Sequence, residues 1–281
     1  MKIYKIKNKL KLQNNGNLEI IFLGTGTAFS QLLYNNNIII IKGNAHILVD
    51  FGYNAPISLE KHLGLSPLDI EAFLPTHSHA DHIGGVEYLV LNKRYSSPNF
   101  PNNPKLKLIT TKEYKDILWN YSLKGGLEWN EKKGNTRLKI TDYFDILLAK
   151  PLSSKDRTKY KIKYKGIDIE LFGTNHIPDT AKTQKQAFIS YGLMIDKKVM
   201  YTSDTKFDKS LLDIYADKAE VIFHDCSFTK NPVHASYDEL KTLPEKWKKK
   251  IYLMHYNDDY RKFKDDGFAG VTQFGIKYIF D

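Results

Sequence analysis

The 281-residue sequence predicts an α/β fold in which two mixed β-sheets pack together and helices cover their outer faces. Short apolar runs bounded by turn residues recur in both halves of the chain, which is typical of strands. Helical patterns lie between these runs in each half. Three pairs of runs also flank turn sequences that favour β-hairpins, at Gly43-Asn44, at Gly166 and at 196–198.

Each element is predicted from its own pattern of apolar residues. Apolar runs predict strands at 18–23, 38–42, 45–50, 72–75, 162–164, 167–172, 188–195, 199–202, 221–223 and 251–254. Helical spacing predicts helices at 56–63, 82–92, 211–216 and 238–243. We expect one domain over 1–281. The less regular stretch at about 93–160 is predicted to be an insertion, with a helix after a Thr111 cap.

Composition excludes several classes of protein. Hydrophobic residues make up 42% of the chain, which argues against disorder, and no apolar run approaches the roughly 20 residues of a membrane span. The single cysteine, Cys226, forbids an internal disulfide, and the first residues lack a signal-peptide pattern, so a cytoplasmic protein is expected. The net charge of +10 favours an anionic substrate, although general lysine enrichment explains it equally well.

A cluster of metal-binding residue types follows the predicted strand at 72–75. His77 and His79 are two residues apart, so in an extended segment their side chains point to the same side and can share one ion. Asp81 and His82 come at the turn into the next helix and can face a second ion. Imidazole and carboxylate ligands suit zinc, and also manganese or iron. A surface histidine cluster without metal is the weaker interpretation, because an apolar strand precedes the cluster and two glycines follow it.

Three further polar residues each come just after a predicted apolar strand. They are His176, Asp204 and His255. Such positions gather at one edge of a sheet, although a single histidine there is more often structural than metal-binding. Their order along the chain, taken together with the cluster, favours a metal-binding role.

This order resembles the pattern of the metallo-β-lactamase superfamily. That pattern is an aspartate after an early strand, a His-x-His-x-Asp-His segment, and then His, Asp and His. The matching positions here are Asp50, 77–82, His176, Asp204 and His255. The resemblance covers roughly residues 18–256 and implies a four-layer αββα sandwich.

The resemblance also implies two divalent metal ions and their ligands. The implied ligands are His77, His79 and His176 for the first ion, Asp81, His82 and His255 for the second, and Asp204 as a bridge. Asp50 is implied to orient the cluster by hydrogen bonds without touching metal.

Two segments resemble the ribonuclease Z branch of this superfamily. The stretch 224–228 (HDCSF) resembles the His-Glu-Ala-Thr segment of that group, and 233–236 (VHAS) resembles its His-Ser-Thr segment. The resemblance implies that Asp225 orients His234, which contacts the phosphate and helps the leaving oxygen depart. Aspartate replaces glutamate at 225, which shortens the reach by one methylene. An antibiotic-cleaving or redox role is disfavoured, because the bridging carboxylate and both cluster histidines are intact.

These parts predict hydrolysis of a phosphodiester. Two cations about 3.5–4 Å apart lower the pKa of a shared water, so that hydroxide forms at neutral pH. Protonated His234 would then assist the leaving oxygen, and Asp81 is a candidate acceptor for the nucleophile's proton.

The size of the substrate is predicted from what separates the metal motifs. Common bacterial ribonucleases Z carry a long tRNA-gripping arm between the third and fourth motifs, but residues 177–203 leave no room for one. A cyclic nucleotide, or short RNA or DNA, therefore fits better than precursor tRNA.

Three alternative functions remain open beside hydrolysis of a small phosphodiester. A lactone or carboxylic-ester hydrolase, a tRNA 3′-processing endonuclease, and a binding protein without turnover are the alternatives. The aromatic residues of 93–160 could stack on bases, form an interface or pack a small core, and a homodimer is expected by analogy.

Overall fold

The computed structural model describes residues 1–96, 98, 102–258, 260 and 263–281. Within these residues, the strands form two eight-stranded β-sheets and a two-stranded hairpin. The first sheet has the order β1-β18-β2-β3-β4-β5-β6-β9. Its strands are β1 (Lys2–Lys5), β2 (Leu18–Phe22), β3 (Ile38–Lys42), β4 (Ala45–Val49), β5 (Ala72–Leu74), β6 (Leu106–Thr110), β9 (Phe144–Leu148) and β18 (Ile276–Phe280). The hairpin pairs β7 (Lys132–Lys133) with β8 (Thr136–Arg137).

The second sheet runs in sequence order from β10 to β17. Its strands are β10 (Lys150–Leu152), β11 (Lys159–Tyr164), β12 (Ile167–Gly173), β13 (Tyr191–Ile195), β14 (Val199–Tyr201), β15 (Val221–Asp225), β16 (Ile251–Met254) and β17 (Gly270–Val271). Both sheets are mixed, with antiparallel pairs on one side and parallel pairs on the other.

Short helices lie between the strands. They are α1 (Ala55–Leu63), α2 (Ala80–Ile83), α3 (Val86–Leu91), α4 (Lys112–Ile117), α5 (Lys124–Leu127), α6 (Ile140–Tyr143), α7 (Lys209–Tyr215), α8 (Tyr237–Lys241) and α9 (Glu245–Lys248). The chain also contains two 3₁₀ turns (Pro67–Asp69 and Gln184–Gln186) and two π-helical turns (Asn92–Ser96 and Leu118–Leu123). No helix in the described part of the chain has the length and apolar character needed to cross a bilayer.

The three predicted hairpins are confirmed. Gly43 and Gly166 adopt left-handed backbone conformations, with φ of 58° and 92°, at the turns β3–β4 and β11–β12. The β13–β14 turn places Asp196 and Lys197 at φ of 49° and 57°. The Asp196 carboxylate supports this turn, since it accepts hydrogen bonds from Lys42 Nζ (2.7 Å) and the Asp168 amide (2.9 Å).

Packing of the two sheets against each other confirms the predicted αββα sandwich. One buried cluster contains side chains of both sheets, including Ile20 and Ile39 from the first and Leu193 from the second. A second cluster places Leu211 of α7 and Trp247 of α9 against residues of the second sheet. Helices therefore add apolar contacts to the sheets, as expected of a sandwich with helical outer layers.

The stretch expected to be an insertion contributes strands to both sheets. It supplies β6 and β9 to the first sheet, and β10 and the first two residues of β11 to the second. The predicted helix is α4, and the Thr111 hydroxyl caps it by accepting from the Tyr114 amide at 3.2 Å. Trp119, Tyr143 and Phe144 are buried in the core, whereas Trp129 is exposed and lies against the Arg137 guanidinium. The insertion and the single-domain boundary stay predictions.

The parallel strands determine where the polar residues gather. β4 and β5 are parallel in the first sheet, and β14, β15 and β16 are parallel in the second. Carboxyl ends of parallel strands lie at the same edge of a sheet, so the residues that follow them are brought together. Asp50, the 76–82 segment, Asp204 and His255 all follow such ends.

A buried ion pair supports the strand end that leads to His176. Arg157 is 4% exposed, and its guanidinium donates to the Gly173 carbonyl and to Asp208 Oδ2, both at 2.6 Å. Burial opposes ionisation of Asp208, but hydrogen bonding from Ser210 and the charge of Arg157 outweigh it and lower its pKa. Asp208 also caps α7 by accepting from the Leu211 amide.

We predict that Arg157→Met costs about 3 kcal/mol of unfolding free energy at neutral pH, because it leaves the half-buried Asp208 carboxylate without its cation. Because the folded-state pKa of Asp208 is lowered, the pair's contribution is complete above the unfolded carboxyl pKa of about 4 and is lost as the pH falls through the folded value. Urea unfolding of both proteins across this range measures the difference. In an Asp208→Asn background the same change should cost much less, and an equal cost in both backgrounds would contradict the assignment.

Candidate metal centre

Three residues at the centre adopt left-handed backbone conformations that non-glycine residues rarely use. Asp50 after β4, Ser203 after β14 and His255 after β16 have φ of 61°, 51° and 58°. Each turns the chain sharply at a strand end, so that the polar side chains point into one cluster. Such strain persists only where surrounding contacts hold it, and it is common at functional sites.

One group of side chains brings together His77, His79, His176 and Asp204. His79 Nδ1 lies 3.1 Å from His77 Nε2 and 3.2 Å from His176 Nε2. Asp204 Oδ2 lies 3.8 Å and 3.7 Å from the same two Nε2 atoms. The four ligand atoms lie within 4.8 Å of one another, a spacing that can hold one cation.

A second group shares the same aspartate. His82 Nε2 lies 3.3 Å from Asp204 Oδ1 and 3.4 Å from Asp81 Oδ2. His255 Nε2 lies 3.1 Å from Asp81 Oδ2 and 3.4 Å from Asp204 Oδ2. These four residues are also within the 4.8 Å limit and are buried. The two groups are those expected from the sequence, and Asp204 is common to both.

Hydrogen bonds on the far side of three imidazoles leave their Nε2 atoms facing the cluster. Nδ1 of His82 contacts Asp50 Oδ2 at 2.7 Å, and Nδ1 of His176 contacts the Val233 carbonyl at 2.9 Å. Nδ1 of His77 contacts the Thr76 hydroxyl at 3.1 Å. If each Nδ1 carries the proton, each Nε2 has a free lone pair for a metal ion.

Unpartnered atoms in the cluster test whether metal fits. Asp81 Oδ1, His82 Nε2 and both carboxylate oxygens of Asp204 are buried without a hydrogen-bond partner among the described residues. Buried polar atoms without partners are costly, and several of them converging at one point need a compensating cation. Imidazole nitrogens with carboxylate oxygens form a donor set that suits zinc, and also manganese or iron. The residues therefore fit a pair of divalent ions.

The pKa values of the imidazoles in the cluster are shifted in opposite directions. Burial lowers the pKa of His77 well below its ordinary value and that of His176 to about 4, which favours the neutral form of both imidazoles. Burial also opposes protonation of His82 and His255, but the adjacent carboxylates outweigh it and raise the pKa of both. These two imidazoles stand in for the positive charge that Asp204 needs.

Asp50 lies behind the cluster, as expected from the sequence. Its carboxylate accepts hydrogen bonds from the Thr76 amide (2.7 Å), the Thr76 hydroxyl (2.8 Å) and His82 Nδ1 (2.7 Å). The Ser203 hydroxyl contacts the Thr76 hydroxyl at 3.0 Å. Thr76 thereby links the strand ends of the two sheets beneath the metal-binding side chains.

His234 and Asp225 form a pair beside the cluster. His234 Nδ1 lies 2.7 Å from Asp225 Oδ2 and 4.0 Å from Asp204 Oδ2. The other oxygen, Asp225 Oδ1, lies 3.4 Å from His255 Nδ1. Burial lowers the pKa of His234, but the charge and hydrogen bond of Asp225 outweigh it and raise the value. The His234 side chain is 14% exposed, so the pair is open to a ligand at the cluster.

The sequence interpretation missed residues that support the cluster by long-range hydrogen bonds. Asn37 is fully buried; its Nδ2 donates to the Asp81 carbonyl at 3.0 Å, and its Oδ1 accepts from the Gly52 amide at 2.8 Å. Gly52 has no room for a side chain, because a Cβ there would lie 2.2 Å from the Asp81 carbonyl oxygen. In the sequence, the run 35–37 is indistinguishable from the general asparagine enrichment. Its lack of charged neighbours was the one feature that indicated burial.

Other histidines and the cysteine lie outside the cluster. His46 Nε2 accepts from the Glu71 amide, and His62 contacts Tyr34. His224 contacts the Asp225 carbonyl through Nδ1, and Cys226 is buried in the cluster of apolar residues under α7 and α9. These placements agree with structural roles.

The αββα fold with this cluster at its strand ends places the protein in the metallo-β-lactamase fold class. Within that class, the profile of the family described as anti-Pycsar protein Apyc1 matches residues 18–278, and the chain belongs to that family. It is 34% identical over 250 residues to the Apyc1 of Bacillus phage vB_BsuM-Goe3, which covers 87% of this chain and 91% of the relative. It is 33% identical over 249 residues to that of Paenibacillus xerothermodurans, with 88% and 90% covered.

Solved structures similar to this chain share its fold. The metallo-β-lactamase fold protein YhfI from Bacillus subtilis has a TM-score of 0.66 at 16% identity, covering 94% of this chain and 100% of its own. Yeast PDE1 has a TM-score of 0.60 at 13% identity, with 94% and 99% covered. The short form of human tRNase Z has the same score at 14% identity, with 92% and 98% covered. The shared fold alone therefore does not identify the reaction or the substrate of this protein.

We predict that Asn37→Ala costs about 1–3 kcal/mol of unfolding free energy, because two buried backbone groups lose their partner. Freed from Asn37, the Asp81 backbone should shift, and metal affinity should fall about 10- to 100-fold. Urea unfolding and titration of the metal-free protein with Zn²⁺ measure the two effects. Asn36→Ala is the matched control, since Asn36 is equally buried but bonds Tyr201 rather than a cluster residue. Unchanged zinc affinity in Asn37→Ala would contradict the proposed support.

Proposed function

We propose that this protein is a dinuclear metal-dependent phosphodiesterase that hydrolyses a cyclic nucleotide. The observation that carries the proposal is the combination of two metal-fitting groups sharing Asp204 with a His234–Asp225 pair beside them. Two adjacent cations suit the displacement of oxygen at phosphorus, and the pair suits protonation of the leaving oxygen.

The family relationship supports this proposal. The relatives bear the name anti-Pycsar protein Apyc1 and align with this chain over almost its whole length. We propose that the anti-Pycsar role given in their name applies to this chain and that it consists of cleaving a cyclic nucleotide.

The proposed ligand assignment follows the two groups. His77, His79 and His176 would hold one ion, and Asp81, His82 and His255 the other, with Asp204 bridging both. Zinc is the proposed metal, with manganese or iron as alternatives. When bound, two such cations supply activation of water at neutral pH and neutralise charge on the phosphate.

The chain's own residues would handle the protons. The raised pKa of His234 favours its protonated form, which would donate from Nε2 to the leaving oxygen while Nδ1 stays bonded to Asp225. Burial raises the pKa of Asp81, but the charge of His82 and the hydrogen bond of His255 outweigh it and hold the value well below its ordinary range, so the carboxylate is ionised. We propose that Asp81 accepts the proton of the attacking water.

The loop after His176 favours a small substrate. Residues 177–190 carry only the 3₁₀ turn Gln184–Gln186 before β13 begins at Tyr191. The Lys206 ammonium donates to the carbonyls of Pro178, Asp179 and Ala181 at 2.7–2.8 Å, which ties this loop to the body of the protein. A tied loop of this length does not form a tRNA-gripping arm, so cyclic nucleotides, or else short RNA or DNA, fit better than precursor tRNA.

We predict that the metal-loaded protein cleaves bis-(p-nitrophenyl) phosphate and cyclic mononucleotides in preference to single-stranded RNA, precursor tRNA or an acyl lactone. His234→Ala should lower kcat for cyclic mononucleotides about 10²- to 10⁴-fold, because the departing ribose oxygen loses its proton donor. His62→Ala is the control, since its ring packs against Tyr34 and Phe274. Lactone turnover that survives His234→Ala, without phosphodiester cleavage, would point to the carboxylic-ester alternative.

We predict that Asp204→Ala releases at least one ion and abolishes turnover, because both groups lose the carboxylate that they share. Elemental analysis of the purified protein and an assay with bis-(p-nitrophenyl) phosphate measure the two effects. Asp213→Ala removes an exposed carboxylate paired with Lys209 and should keep both ions and activity. Full activity in Asp204→Ala would show that the bridging assignment is wrong.

A further inference from the structure

The loop that carries His234 is organised around one side chain, Asn231. Its Oδ1 accepts hydrogen bonds from the backbone amides of Val233 at 3.0 Å and His234 at 3.2 Å. This is an Asx-type turn, in which a side-chain oxygen replaces a backbone acceptor. The carboxamide therefore sets the orientation of the Val233–His234 peptide.

That peptide serves both halves of the centre. The Val233 carbonyl accepts from His176 Nδ1 at 2.9 Å, which directs His176 Nε2 toward His79 and Asp204. The next residue, His234, contacts Asp225 Oδ2 through its own Nδ1 at 2.7 Å. One turn thus supports a candidate metal ligand on one side and the candidate proton donor on the other.

The flanking structure does not depend on Asn231. The Ala235 amide donates to the Thr205 carbonyl at 2.9 Å, and the Ser227 amide donates to the Ala235 carbonyl at 2.7 Å. Helix α8 has its own capping box, made by Ser236 and Glu239. Loss of the carboxamide should therefore loosen 231–234 while β15 and α8 stay in place.

We propose that Asn231 is a positioning residue that couples His234 to His176 through the Val233–His234 peptide. The inference rests on the proposed function for the role of His234, but its effect on His176 does not depend on which substrate is cleaved. Removal of Asn231 should disturb two properties together, the metal affinity of the group containing His176 and the rate of the step that His234 assists.

The test measures both properties in the full-length protein. In Asn231→Ala we expect the affinity for Zn²⁺ of one of two sites to fall about 10- to 100-fold, measured by calorimetric titration of the metal-free protein. With both sites saturated, kcat for a cyclic mononucleotide, whose departing ribose oxygen needs a proton, should fall about 10- to 100-fold while KM changes less than about threefold, since a displaced proton donor acts mainly in the transition state.

Two variants separate positioning from general loss of structure. Asn231→Asp keeps an oxygen acceptor at the same reach and should retain both properties to within about threefold. Asn14→Ala is the matched control, because Asn14 Oδ1 also accepts two backbone amides, of Gly16 and Gly43, in a loop remote in sequence from the centre. It should leave zinc affinity and kcat unchanged.

The outcomes decide the proposal. Loss of both properties in Asn231→Ala with rescue in Asn231→Asp supports it, whereas wild-type values of both in Asn231→Ala would overturn it. If Asn231→Ala does not fold, Asn231→Gln, whose oxygen lies one methylene too far, carries the same expectations. If the wild-type protein cleaves no phosphodiester, the proposed function fails, and the zinc titrations alone then decide whether Asn231 positions His176.

Discussion

The burial of Asp204 among imidazoles is the constraint on which the centre depends. Its carboxylate is 1% exposed and has no hydrogen-bond donor among the described residues. A carboxylate in that position costs several kcal/mol unless cations surround it, because water no longer stabilises its charge. Four imidazoles face it at 3.3–3.8 Å, and the same arrangement suits two divalent ions. The imidazoles that surround this charge follow strand ends of both sheets.

Meeting that requirement accounts for the unusual backbone of the centre. Ser203 immediately precedes Asp204, and its left-handed conformation turns the carboxylate inward from the end of β14. His255 and Asp50 make corresponding turns after β16 and β4. A residue held in this conformation costs about 1–3 kcal/mol, so the strain must be offset by the contacts that each side chain makes. The hydrogen bonds of Asp50 to Thr76 and His82 are such contacts.

The predictable and unpredictable parts of this protein differ in physical origin. Hairpins, strands and the grouping of the metal-fitting residues could be predicted, because turn chemistry and apolar periodicity act over a few residues and the His-x-His-x-Asp-His spacing is specific. Asn37, Thr76 and Asn231 could not, since each acts through partners far away in sequence or through a turn without periodicity. Strand β1 was also missed, because its four exposed residues mix lysines with apolar side chains and it pairs with β18 at the other end of the chain. The homodimer and the cytoplasmic location stay predictions.

Support for the centre is divided between the two sheets, and this division links metal binding to their packing. Asn37 precedes β3 and Asp50 follows β4, both in the first sheet. Asn37 bonds the Asp81 carbonyl, and Asp50 bonds His82 Nδ1. On the side of the second sheet, Asp225 contacts His234 and His255, and Asn231 supports the loop that carries His234. Because Asp204 follows β14 of the second sheet yet faces candidate ligands from both sheets, ions bound there would join the two layers directly. Ligands that bind only the folded state stabilise it, so metal loading and sheet packing should be thermodynamically coupled. Under the proposed function, a residue that aligns a candidate ligand from either sheet would therefore contribute both to metal binding and to the cohesion of the sandwich.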